Sequence, residues 1–355
     1  MFWRESPDFS GDANFSIHAV DDTQDVAALF QLYLRHRDLT EHDRPPWRLM
    51  LLRDRGNGSA LMLITHHSVC DGYRLIHMLF GLADEKRKTA YPAVVADKPE
   101  AGVAWFKRLA AGTIGPLAFA LSGADALVRS LRSGTDVSAA NATVYRQRID
   151  RSSLRRLAAN WRCSSETVCY LLALKIERAL APRPRSKSRL IVPLVFRRTT
   201  SLHDFRNFLL PLELTAGAQP DIRLAGKLEA HRKRIARLLS PFVLKIAERY
   251  ISAGVRLTGL MSPGLVRRMR CGWGSRFSAS CTVFPVPPHR LKIGGATTTD
   301  ILCFTPQLTK DSPAITFATY GRVVNMVVRY SAEIPHAANI IAVTLDRAFE
   351  PVSRE

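Results

Sequence analysis

Along this chain the spacing of apolar residues keeps switching between a helical period and short strand-like runs. Val26, Leu29, Phe30, Tyr33 and Leu34 recur at the spacing of one helix face. Trp47–Leu52 and Ala60–Thr65 are instead brief apolar runs, joined by the polar, Gly-rich RDRGNGS, and read as an antiparallel hairpin. Only an architecture that packs helices against sheets accommodates both periods. Thr23 is expected to cap the first helix, which runs to about His36 after an extended piece at Phe15–Val20. The second hairpin strand leads directly into HHSVCDG, and a helix from about Tyr73 to Ala83 should bury Leu75, Ile76, Leu79 and Phe80.

A Pro- and Lys-containing connector over 86–102 and Gly-broken helical material over 103–132 come next. The small, polar stretch SGTDVSAANA then fits an interdomain linker over 133–142. Beyond it the alternation resumes. A strand at Thr143–Ile149 is followed by helices at Ser152–Asn160 and about Glu166–Leu180, then strands at Arg189–Phe196 and Phe208–Leu214. A long basic helical region covers 222–270, and strands and turns over 280–347 precede a helix at Ala337–Phe349. Cys271-Gly272-Trp273-Gly274 is expected to be a turn. These elements give an α/β chain with mixed sheets, in an N-terminal subdomain (1–132), a linker (133–142) and a C-terminal subdomain (143–355).

Composition narrows the partners. Of the 355 residues, 51 are Lys or Arg against 31 Asp or Glu, a net charge of +20 that attracts anions in general. No nucleic-acid-binding motif accompanies the charge, which disfavours nucleic acid. The basic helices over 222–270 carry Leu and Ile on one side, a pattern of a solvated face or of one that lies on anionic lipid. Six cysteines lie scattered without a CxxC pair, so no zinc or redox motif is present, and no HExxH occurs. The start, MFWRESPDFSGD, lacks the basic and apolar regions of a secretory signal, and no apolar run reaches eighteen residues. A cytoplasmic setting is expected, with peripheral contact to a membrane as an option.

Chemistry concentrates in HHSVCDG. A strand end followed by a turn is a common seat for reactive side chains, because the strand fixes them while the turn opens to solvent. Alternation sends His66 and His67 to opposite faces, so one of them at most points into a given cleft. A neutral imidazole suits proton abstraction from a hydroxyl or amine near neutral pH. Asp71 is placed to support the turn or hold an arginine, and Gly72 allows a tight turn or a close approach. The same residues also fit a hydrogen-bonded turn or half of a metal site. Cys70 would face away from His67 after the turn.

HHSVCDG resembles the HHxxxDG signature of the acyltransferase superfamily with the chloramphenicol acetyltransferase-like fold. The segments DRPPWRLMLLRDRGNGSALMLITHHSVCDG, RIDRSSLRRLAANWRCSSETVCYLLALKIERAL, IVPLVFRR, FRNFLLPLEL and TVFPVPPHRLKIGGA are most similar to bacterial wax ester synthase/diacylglycerol acyltransferases. Nonribosomal peptide condensation domains and polyketide-associated acyltransferases are more distant likenesses. The resemblance implies two subdomains around a tunnel open on both sides, the N-terminal one shortened because the motif arrives at residue 66. It implies His67 as general base, His66 supporting it, Asp71 paired with Arg197, Gly72 keeping access open and Asn207 on the acceptor side. Arg206, Val283 and Val286 depart from the family's Gly-Asn and Asn-x-Pro-Gly-Pro patterns. No cofactor or metal is implied, since an acyl-CoA or acyl-carrier-protein thioester serves as substrate. The expected reaction is O-acyl transfer to a long-chain alcohol or diacylglycerol. A condensation-type enzyme using a carrier protein and an amine, and a catalytically silent module of the same fold, are the alternatives.

Overall fold

The computed structural model describes residues 14–37, 39, 47–56, 58–65, 72–84, 141–181, 187–195, 209–216, 222–238, 261–285, 290–309 and 311–350. In the N-terminal part, β1 (Phe15–Ala19), α1 (Val26–His36), β2 (Trp47–Arg53), β3 (Ser59–Thr65) and α2 (Gly72–Gly81) follow in order. The expected hairpin is present, with Trp47 opposite Thr65 and Arg53 opposite Ser59, and β1 adds in parallel to β2. Leu29, Leu39, Met50, Leu52 and Ile64 form a small core between α1 and this sheet.

The α1 cap differs from expectation. Asp25, not Thr23, accepts from the backbone N–H groups of Ala27 (2.9 Å) and Ala28 (3.1 Å). Thr23 lies two residues too early, and its hydroxyl donates instead to Asp54 Oδ2 at 2.7 Å. Asp54 also accepts from Gly56 and Gly58 N–H, at 2.9 and 2.7 Å, and so closes the β2–β3 turn. The Thr23 hydroxyl, followed by these backbone donors, holds the Asp54 carboxyl below its ordinary pKa.

The C-terminal part contains β4 (Ala142–Asp150), α3 (Arg151–Asn160), α4 (Ser165–Leu180), β5 (Ser188–Val195), β6 (Leu209–Ala216), α5 (Ile222–Leu238) and α6 (Pro263–Gly274). It continues with β7 (Ala279–Pro285), the two-residue strands β8 (Lys292–Ile293) and β9 (Ala296–Thr297), then β10 (Ala314–Tyr320), β11 (Val323–Ser331) and α7 (Ala337–Phe349). Ala142, the last residue of the expected linker, already belongs to β4 and pairs with Ser331. Six strands form a mixed sheet in the order β4-β11-β10-β7-β5-β6, with β7 parallel to both β10 and β5.

Two local corrections concern the basic region. Within 222–270 the described helices are α5 and α6, the latter opened by Ser262, which accepts from Leu265 N–H at 3.3 Å, with Pro263 following it. Cys271–Gly274 is the last turn of α6 rather than a free turn. Gly274 presses on the backbone there, where an added Cβ would stand 3.0 Å from the Leu308 carbonyl oxygen.

The main core lies on one face of the six-stranded sheet. Val324, Met326, Val328 and Tyr330 of β11 point into it, where α4 and α7 pack beside α3. Nearly every position of α4 from Thr167 to Ile176 is buried, so this helix is the centre of the subdomain. Its N-terminus is locked by Glu229 of α5, whose carboxylate accepts from the hydroxyls of Ser164 (2.8 Å) and Thr167 (2.5 Å). Leu172 is 1% exposed. Leu172→Ala is expected to cost ~2–5 kcal/mol, because the close-packed sheet and helices collapse only partly into the void. A urea-unfolding midpoint lowered accordingly, at unchanged slope, checks this.

Candidate functional site

Alternation gives the six-stranded sheet a second face, away from α4 and α7. On β11 it carries Asn325, Val327 and Arg329; register places Arg148, Arg146 and Val144 of β4 beside them. Ala314, Thr316 and Ala318 of β10 and Ser280, Thr282 and Phe284 of β7 continue the row. This face is small and polar, and the N-terminal elements cover it.

Residues 300–304 form a strap across it. Asp300 is ion-paired with Arg146 and accepts from the Asn325 amide. Asn325 also donates to the Ile301 carbonyl at 3.1 Å and accepts from Arg146 Nη2 at 3.1 Å. Thr316 donates to the Cys303 carbonyl at 2.8 Å. The strap then delivers Phe304 to α1, its ring 5.5 Å from Phe30 and 5.8 Å from Tyr33, centroid to centroid. Burial pushes the Cys303 thiol up to about 12, so it stays protonated at neutral pH. Burial also raises the Cys169 and Cys281 thiols well above their ordinary range.

The end of HHSVCDG reaches this covered face. β3 ends at Thr65, α2 begins at Gly72, and the motif is the connection between them. Gly72 lies flat against the ring of Phe284: a Cβ there would stand 2.5 Å from Cε1 and 2.9 Å from Cζ. One turn on, Ile76 packs with Phe284, Leu291, Ala318 and Tyr320 in a satellite core. The Tyr320 hydroxyl accepts from Leu291 N–H at 2.7 Å, which ties Leu291 to the end of β10. The glycine is required by this close approach of backbone to ring.

Of the site residues read from the sequence, Gly72 is described, and the structure places it at the start of α2 against Phe284 of β7. His66, His67, Asp71, Arg197 and Asn207 lie outside the described residues. Among the described residues, no group of three or more His, Cys, Asp or Glu side chains is placed to hold a metal ion. No described helix is long and apolar enough to cross a membrane. Sequence reasoning missed Phe284, Asp300 and Asn325. Their roles arise from contacts across 25 to 212 positions of chain, and no local pattern marks them. Gly72→Ala is expected to cost about 1–3 kcal/mol by forcing the Phe284 ring out of place. Adding Phe284→Leu should recover part of that loss, and thermal unfolding of the single and double variants tests the contact.

No protein-family model matches the sequence, and no curated protein matches it. Solved structures do. A wax ester synthase/diacylglycerol acyltransferase from Marinobacter aquaeolei VT8 superposes with TM-score 0.54 at 15% identity, covering 98% of this chain and 81% of that one. The starter condensation domain of rhizomide synthetase, solved in complex with C8-CoA, gives TM-score 0.51 at 14% identity, covering 97% and 76%. A nonribosomal peptide synthetase gives TM-score 0.51 at 15% identity, covering 96% of this chain and 38% of that larger one. With the mixed sheets and the strap already in view, these likenesses establish that the chain has the chloramphenicol acetyltransferase-like fold shared by wax ester synthases and condensation domains.

Proposed function

We propose that this protein is an acyltransferase that moves an acyl group from a thioester to an alcohol. The observation that carries the reading is the seat of HHSVCDG, which joins β3 to α2 and ends on Gly72 against Phe284, in a chain with this fold. A general base at a junction between subdomains can meet two substrates arriving from different sides.

In this reading His67 removes the hydroxyl proton as the alcohol oxygen attacks the thioester carbonyl carbon. The tetrahedral oxyanion collapses with cleavage of the carbon–sulfur bond. The departing thiolate takes the proton from the imidazolium, leaving an ester and a free thiol. Nothing is oxidised or reduced. His66 supports the imidazole, Asp71 with Arg197 holds the loop as an ion pair, and Asn207 shapes the acceptor side. The donor is acyl-CoA, and the acceptor a long-chain alcohol or a diacylglycerol. The exposed Lys227 and Lys233 on α5 favour anionic lipid, where such acceptors reside.

Thiol release from a panel of acyl-CoAs, with and without long-chain alcohol or diacylglycerol, tests this. Acceptor-dependent release is expected from the wild type, falling about 10²–10⁴-fold in His67→Ala at unchanged melting temperature. Turnover retained by His67→Ala would remove the histidine from its role. A wild type silent with acyl-CoA and with acyl carrier protein alike would leave a catalytically silent module.

A further inference from the structure

Two arginines on the covered face of the sheet are treated in opposite ways. Arg146 is matched, with Asp300 and Asn325 on its guanidinium. Arg329, in β11 between Val144 and Ala314, is 3% exposed, and among the described residues neither its Nε nor its Nη1 has a hydrogen-bond partner. Its guanidinium carbon stands 5.2 Å from the centre of the Phe30 ring. That contact offers π-density to the cation but no acceptor to the in-plane N–H groups. Arginine keeps its charge in proteins, and a buried charge without a counter-ion is costly to maintain.

The neighbours sharpen the mismatch. Burial lowers the Arg329 pKa; Tyr33 offsets part of this, and the like charge of Arg37 adds to it. Phe30, Tyr33 and Arg37 follow at i, i+3 and i+7 along α1 and its C-cap, running from buried through half-buried to exposed. The stripe runs along one face of α1 from the exposed Arg37 to Phe30, the ring on which Arg329 is seated.

We propose that Arg329, seated on Phe30 and flanked by Arg37, is the floor of a binding site for the carboxylate or phosphate group of a small molecule. The in-plane N–H groups of a guanidinium match the paired oxygens of either anion, and Arg37 supplies a second charge nearer the surface. The inference stands independently of acyl transfer, since it rests on an unmatched charge and not on His67.

Thermal unfolding of the full chain is followed in inorganic phosphate and in acetate, each balanced with chloride to constant ionic strength. A saturable rise in Tm with at least one anion is expected in the wild type. The apparent Kd should weaken about 10- to 100-fold in Arg329→Met, the loss of a charge-assisted pair of hydrogen bonds. Arg329→Lys keeps the charge without the fork and should weaken it less. Phosphate acting alone identifies a phosphate ester as the ligand group, and acetate acting alone a carboxylate. Absence of a saturable rise in the wild type overturns the proposal whether or not the variants fold. A rise that persists unchanged in either variant overturns it as well.

Discussion

The middle strands of the six-stranded sheet are buried on both faces, and this requirement governs the rest of the molecule. Six of the seven positions of β10 and seven of the nine of β11 are buried. Helices α4 and α7 cover one face with a close-packed apolar core. The other face presents Arg146, Asn325, Thr316 and Arg329, groups that cannot be buried cheaply without partners. The strap supplies most of those partners with an aspartate and two backbone carbonyls. The N-terminal elements complete the cover, with Phe30 under Arg329 and Gly72 on Phe284.

This arrangement makes the contact of the N-terminal elements with the sheet partly polar and aromatic, beside the apolar cluster around Ile76. An apolar seal would have buried more area at about 25 cal/mol per Å², yet it would leave little to recognise a substrate. Here Gly72 brings the start of α2 against the Phe284 ring, while Asp300 and Phe304 tie the strap to the sheet and to α1.

Much of the fold was legible in the chain itself. The hairpin of β2 and β3, the paired helices α3 and α4, and α7 follow from periodicity and caps. Asp150 and Ser164 accept from backbone N–H groups at the starts of α3 and α4. Local signals failed where two solutions competed nearby. Thr23 and Asp25 are both good caps, and Asp54, 31 residues away, took the threonine. The glycines of CGWG suggest a turn, but Leu308 approaches there and a helix with no Cβ at Gly274 accommodates it.

The sequence by itself determined the element types, the mixed α/β class and the location of the histidine motif between a strand and a helix. These depend on spacing over a few residues, which any reader of the chain can see. Only tertiary structure decided which face of the large sheet the motif meets and that Phe284 is the ring against Gly72. It alone separated Arg146, which has its aspartate, from Arg329, which has none among the described residues. Both are arginines on one face of the neighbouring strands β4 and β11, and their difference lies in what the fold brings across to them from residues 30 and 300. Strand pairing and burial create that difference, because a charge is matched or unmatched only once water has been removed from around it.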